Sequence, residues 1–165
     1  MNSIHAPMAG RQTQRLGSEA ATAALGATLA ARARAGDVFL LAGPYGAGKT
    51  ALARAFLRAA TGDPALVVPS PSFTLVQTYA LPGGLTAWHY DLWRASGEAD
   101  LAELGWDEAR AGIALVEWPE RLGEATPLEA LTVTLAPVAG EAEARDVTLT
   151  GWPDRLDGIR LEDLA

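Results

Sequence analysis

The stretch "DVFLLAGPYGAGKTALARAFLRAA", residues 37 to 60, constrains this chain more than any other. Its first part is a short, unbroken apolar run bounded by Asp37 and Gly43, the pattern of a strand buried on both faces in a sheet covered by helices. From Thr50 to Ala60 the period changes. Leu52, Phe56 and Ala59 or Ala60 fall on one side and Arg54 and Arg58 on the other, so a helix leaves the intervening glycine loop directly. Within that loop Gly43, Gly48, Lys49 and Thr50 satisfy G-x-x-x-x-G-K-[ST], the phosphate-binding loop of nucleotide triphosphatases, in the strand-then-helix setting the motif requires.

Each position of the loop has a mechanical reason. Gly43, Gly46 and Gly48 permit backbone torsions and a close approach that a Cβ would block, so successive N–H groups can turn inward around an oxyanion. Pro44, Tyr45 and Ala47 contribute backbone rather than side chains. The helix that starts near Lys49 aims its positive dipole end at the same point. Lys49 is the only lysine in a chain with twelve arginines. It reaches the β and γ phosphates as a compact point charge, where a planar guanidinium is too wide for an enclosed loop. Thr50 offers its hydroxyl to Mg²⁺.

Around this unit the pattern predicts residues 1 to 10 as a flexible leader and 11 to 165 as a single domain. "RQTQRL" reads as an edge strand, and Gly17 and Ser18 as the turn and N-cap of a helix from Glu19 to about Arg34. "SFTLVQTYA" and "LTAWHYD" read as strands joined through the turn "LPGG". "GEADLAELGWDEARAG" predicts one or two short helices through Leu101, Leu104 and Trp106, and "GIALVEW" another buried strand. "LTVTLAP" and "DVTLTGW" form a late hairpin separated by the loop "VAGEAEA". The expected class is α/β: a P-loop NTPase-like three-layer sandwich whose sheet mixes parallel and antiparallel strands.

Composition removes several classes of function. A net charge of −7 with 49% hydrophobic residues leaves no basic stripe for a phosphate backbone, which argues against direct, tight nucleic-acid binding. The chain has no cysteine and two histidines, His5 and His89, so it can form neither a disulfide framework nor a thiolate metal site. Arg11 and Arg15 ahead of "AATAALGATLAA" loosely imitate a secretory signal, but Glu19 interrupts the run and alanine dominates it. No stretch reaches the length of a membrane span. The expected location is the cytoplasm.

A phosphate cradle alone only binds. Two acids stand where apolar strands end, Asp91 after "LTAWHY" and Glu117 after "GIALV", and in doubly wound sheets the ligand crevice lies at such ends. Asp91 is the candidate for a direct or indirect metal ligand, and Glu117 for the metal or the attacking water. Taken singly, either could be a solvated strand end or a helix N-cap. "PSPSFT" presents Ser70, Ser72 and Thr74 on a stretch that Pro69 and Pro71 hold extended, as a loop that follows the γ-phosphate or as hydroxyls that cap loop backbone. Trp118 is a candidate to cover the nucleotide or to fill core.

These segments together resemble the TsaE (YjeE) family of small bacterial ATPases required for the threonylcarbamoyladenosine (t6A) modification of tRNA. The matching stretches are "TAALG", "GDVFLLAGPYGAGKTALARAFLRAATG", "SPSFTLVQTY", "WHYDLWR", "ELGW" and "ALVEWPERLGEATP", in family order over about residues 16 to 127. The resemblance implies ATP on Gly43 to Thr50, with Thr22 and Arg145 near the nucleotide. It implies Mg²⁺ at Thr50 with Glu117 and Asp91 close by, Ser70 to Thr74 as a switch-like loop, and Trp118 needed for hydrolysis. It also implies TsaD-like and TsaB-like partners that handle the tRNA, so an acidic chain meets RNA only indirectly. The free chain is expected to be monomeric or weakly self-associating and to hydrolyse ATP slowly without its partners. Two departures stand out: Ser72 replaces the usual threonine, and Trp93 the usual tyrosine.

Other functions make different demands. A small-molecule P-loop kinase needs a lid of clustered arginines, whereas Arg94, Arg110, Arg121, Arg145, Arg155 and Arg160 are well spread. Guanine specificity of the N-K-x-D kind needs a second lysine. A protein that binds nucleotide only to dock on a partner would tolerate loss of Glu117.

Overall fold

The computed structural model describes residues 10–165; residues 1–9 of the expected leader lie outside them. Gly10 is tied in, its carbonyl accepting the Gly151 N–H at 3.0 Å. The strands are β1 (Arg11–Leu16), β2 (Val38–Ala42), β3 (Val76–Ala80), β4 (Thr86–Asp91), β5 (Ile113–Glu117), β6 (Leu131–Val138) and β7 (Glu141–Thr150), and the helices α1 (Glu19–Arg32), α2 (Lys49–Thr61), α3 (Glu98–Glu103) and α4 (Trp106–Ala109). One seven-stranded sheet runs in the order β1-β7-β6-β2-β5-β4-β3. Its centre, β6-β2-β5-β4, is parallel. Antiparallel pairs close both edges.

The apolar run of β2 is continuous because both its faces are covered. Phe39 and Leu41 pack with Leu25, Leu52 and Phe56 of α1 and α2. Val38 and Leu40 pack on the other side with Tyr90, Leu101, Trp106 and Leu122. This is the three-layer α/β arrangement that the pattern predicts. Strand alternation then decides the site. Ala87 of β4 and Ile113 and Leu115 of β5 belong to the α2 side, so His89, Asp91 and Glu117, at the same parity, face α2 as well.

Several local expectations shift. The expected loop "VAGEAEA" is mostly strand: β6 and β7 continue to Val138 and from Glu141, leaving a tight turn around Gly140 at φ 77°. Residues 139–143 are exposed and only Ala144 at its end is buried, so the pattern carries little burial signal. Strand β3 begins only at Val76, because Leu75 takes a left-handed φ of 66° and its N–H donates to the Pro71 carbonyl at 2.8 Å. Arg54 and Arg58 are only partly exposed. They donate to the carbonyls of Val68 at 3.2 Å and Leu66 at 3.0 Å and strap the segment before the serine loop onto α2.

Candidate functional site

Helix α2 starts without a side-chain cap, since its N-cap is Gly48 in the left-handed region at φ 100°. Helix α1, by contrast, has its first turn capped by Ser18, whose Oγ accepts the Ala21 N–H. The uncapped amides of α2 are thus left for an anion. Gly43 is required sterically as well as torsionally, because a Cβ there would run into the Leu135 carbonyl oxygen.

Lys49 curls back into this loop. Its Nζ donates to the carbonyls of Gly43 at 2.6 Å and Pro44 at 2.9 Å, and stands 3.8 Å from the centre of the Trp118 ring. Burial pushes its ammonium below the usual lysine range, with Glu117, Glu120 and Asp91 opposing the shift.

Thr50, on the first turn of α2, donates its Oγ1 to Glu117 Oε1 at 2.8 Å, with Oε2 at 3.1 Å. Asp91 and Glu117 are direct register partners at the ends of β4 and β5. Both are buried. Asp91 Oδ2 accepts from Ser70 Oγ at 3.1 Å and Ser72 Oγ at 3.3 Å, and Oδ1 from the Trp93 N–H at 3.0 Å. A cavity of about 380 Å³ gathers the loop from Tyr45 to Thr50 with Ser70, Ser72, Asp91, Glu117 and Trp118.

Not every predicted residue reaches that cavity. Thr74 is exposed and does not line it. Thr22 lies beside it, in a second cavity of about 480 Å³ shared with Gly48 and Arg145 between α1, α2 and β7. Arg145 donates to the Ala47 carbonyl at 2.7 Å, bracing the glycine loop from outside. A larger cavity, about 630 Å³ around Arg110, Leu128 and Trp152, contains none of the loop or the strand-end acids.

His89 is the residue that the sequence reading passed over. It is fully buried, and its Nε2 lies 2.7 Å from Glu117 Oε2. The signal that could have found it is parity: two residues before Asp91 on one strand, it must share that face. The oxygen set of Thr50, Asp91 and Glu117 suits a hard cation that keeps most of its ligands as water and phosphate. Among the described residues no cluster of three or more His, Cys, Asp or Glu side chains forms a self-sufficient metal cage.

A family model described as threonylcarbamoyl adenosine biosynthesis protein TsaE matches residues 16–156. The chain belongs to the TsaE family. Among similar proteins, the tRNA threonylcarbamoyladenosine biosynthesis protein TsaE of Bacillus subtilis is 35% identical over 138 residues, 82% of this chain and 83% of that one. The TsaE of Rickettsia conorii is 39% identical over 106 residues, 64% of this chain and 59% of the relative. The match thus spans less than two thirds of that relative's length. The crystal structure of Bacillus subtilis YdiB superposes with a TM-score of 0.72 at 29% identity, covering 96% of this chain and 97% of that one. The TsaE match runs from the end of β1 past the end of β7, so it takes in the loop, both strand-end acids and Trp118.

Proposed function

We propose that this TsaE-family chain is a Mg²⁺-dependent ATPase of the cytoplasm that hydrolyses ATP slowly by itself. In this reading it supports t6A modification of tRNA by acting on a TsaD–TsaB-type complex. The observation that carries the proposal is the Thr50–Glu117 contact, which joins the first turn of the phosphate-loop helix to a buried strand-end carboxylate. A protein that merely holds a nucleotide has no use for a second buried acid, Asp91, beside the first.

The amides of Gly46 to Thr50 and the Lys49 ammonium bind the phosphates, Lys49 leaving the Gly43 and Pro44 carbonyls to do so. The nucleoside extends toward the cavity that Thr22 and Arg145 border. Thr50, with Glu117 and Asp91, would hold Mg²⁺, which when bound offsets the charge of the β and γ phosphate oxygens. Glu117 orients the attacking water, and Trp118 covers Lys49 and limits solvent.

Slow turnover follows from the arginines. Arg145 is committed to the carbonyls of Ala47, Ala142 and Ala144. Arg94 stacks on Phe73 and Arg121 on Trp93. No arginine among the described residues lines the Lys49 cavity, so the charge that completes a phosphoryl-transfer site has to come from a partner.

The deciding experiment is Glu117→Gln. Binding of ATP measured by calorimetry without Mg²⁺ stays within about threefold, while partner-stimulated hydrolysis and t6A formation are lost. A Glu117→Gln protein that hydrolyses and supports modification normally would overturn the proposal.

A further inference from the structure

We infer that His89 is a positioning residue that fixes the orientation of the Glu117 carboxylate toward Thr50. The inference rests on the hydrolytic reading of Glu117 and adds to it a residue that acts only through that carboxylate.

The argument starts from donors and acceptors. Glu117 as a carboxylate only accepts, so the nitrogen 2.7 Å from its Oε2 must carry the hydrogen: His89 donates through Nε2. His89 Nδ1 is buried and has no hydrogen-bond partner among the described residues. A bare ring nitrogen tolerates that isolation better than a buried N–H does, so the surroundings favour the Nε2–H tautomer. The imidazole therefore offers Glu117 one donor in one place.

That donor answers a geometric problem. A carboxylate at a strand end can rotate about its last bond and present either oxygen to either neighbour. Here Thr50 approaches from the α2 side, at 2.8 Å from Oε1 and 3.1 Å from Oε2. With His89 occupying Oε2 from within the sheet, Oε1 stays turned to the hydroxyl and to whatever binds beside it. Parallel pairing supplies the placement. His89 is the register partner of Leu115, two residues before the Asp91–Glu117 pair, so its ring reaches the next residue on the same face of the neighbouring strand, Glu117. A fully buried imidazole without a partner is costly to keep, and Glu117 supplies the partner at Nε2.

Partners that orient a ligand carboxylate are typically worth about 10- to 100-fold in activity when removed. We therefore expect His89→Ala to lower partner-stimulated kcat by about that factor while affinity for a non-hydrolysable ATP analogue stays within about threefold. His89→Gln, whose amide nitrogen can stand near the lost Nε2, recovers most of the rate. The second readout needs no turnover. The chain holds two histidines, so ¹⁵N-labelled imidazole spectra of His5→Gln protein report His89 alone. They show a protonated Nε2 and a bare Nδ1, a signature that weakens in Glu117→Ala.

An alanine variant that turns over within twofold of wild type overturns the inference, as does the opposite tautomer in the spectra. A glutamine variant that is folded, as judged by its melting curve, yet as slow as alanine also counts against it. If His89→Ala does not fold, the glutamine variant and the spectra decide. Failure of the underlying reading looks different: wild-type protein with its partners then hydrolyses no ATP, whatever His89 does.

Discussion

Lys49 and Trp118 are in face contact, the ammonium 3.8 Å from the centre of the indole ring. Trp118 reaches this position only because it follows β5 in a left-handed conformation, φ 57° and ψ 53°, which a bulky side chain seldom adopts. Pro119 then starts a 3₁₀ segment. Its other neighbour is Trp93, at 4.3 Å between ring centres and about half exposed. The strained backbone thus lays an aromatic face across Lys49.

Nucleotide binding should therefore be visible in Trp118. When phosphates draw Lys49 from the loop carbonyls, the ring loses its cation and the emission of the protein changes. The chain has five tryptophans, so the test is subtraction: titrating ATP and Mg²⁺ changes the fluorescence of the wild type, and Trp118→Phe loses that change. An undiminished signal in Trp118→Phe would place the reporter elsewhere.

Lys49→Arg should fail where a surface exchange would pass. The Nζ site lies between two carbonyls and an indole face, with Lys49 only 4% exposed. A forked guanidinium cannot occupy it as a point charge. Affinity for ATP falls by about 10- to 100-fold, the range of a lost charge-assisted hydrogen bond. Calorimetry reads it directly, and an arginine variant that binds like wild type contradicts the steric account.

Much of this was legible because the main signals are periodic. The glycine loop announces itself by its spacing between a strand and a helix, and Asp91 and Glu117 by ending apolar runs. The late turn was not legible, because the Glu-Ala alternation of β7 buries only Ala144, too little to mark a strand. Nor were the Arg54 and Arg58 straps, since a helix wheel knows nothing of a loop that returns to cover its polar side. The place of Thr74 was not legible either: hydroxyls two apart in an extended stretch share a face, but the turn at Leu75 takes Thr74 out of that line. His89 needed strand pairing as well as sequence, because the acid that it serves lies on a different strand.

Gly26 sets the distance between α1 and α2. A Cβ there would sit 2.7 Å from Ala55 Cβ and 2.9 Å from the Phe56 backbone nitrogen. Gly26→Val should destabilise the fold by about 1–3 kcal/mol through overpacking, lowering the melting temperature by about 2–4 °C per kcal/mol for a chain of this size. A valine variant that melts with the wild type would mean that the helices separate without strain.

Edge strand β1 should loosen in acid. Arg15 forks onto Asp146 directly opposite on β7, at 2.8 and 3.1 Å. Those hydrogen bonds, aided by the charge, hold the Asp146 carboxyl below the usual carboxylate range. Because the folded-state value is depressed, the pair's contribution is complete above the ordinary value of about 3.9 and is lost as pH falls through the lowered one. Asp146→Asn should then exchange its β1 amides faster than wild type at pH near 6, and equally fast once wild-type Asp146 is protonated. The effect is small, since both groups are exposed. A difference that persists in strong acid would rule out the carboxylate as its source.

The serine loop is held shut by Asp91. Ser70 and Ser72 both donate toward Asp91 Oδ2, and their own oxygens are 2.9 Å apart. Removing both hydroxyls leaves one oxygen of a buried carboxylate without a donor, at a cost of about 1–3 kcal/mol, and frees the segment between Pro69 and the Leu75 turn. The Ser70→Ala, Ser72→Ala double variant should exchange amides of residues 70 to 75 faster without nucleotide and hydrolyse ATP more slowly with its partners. Binding of ADP should stay unchanged, because in the proposed reading the diphosphate would be held by the loop of α2 and not by this one. Ser72→Thr keeps the hydroxyl and should behave as wild type in both assays. Should the double alanine variant keep its exchange pattern and its rate, Asp91 is fixed by the Trp93 amide alone and the serines have no part in closing the site.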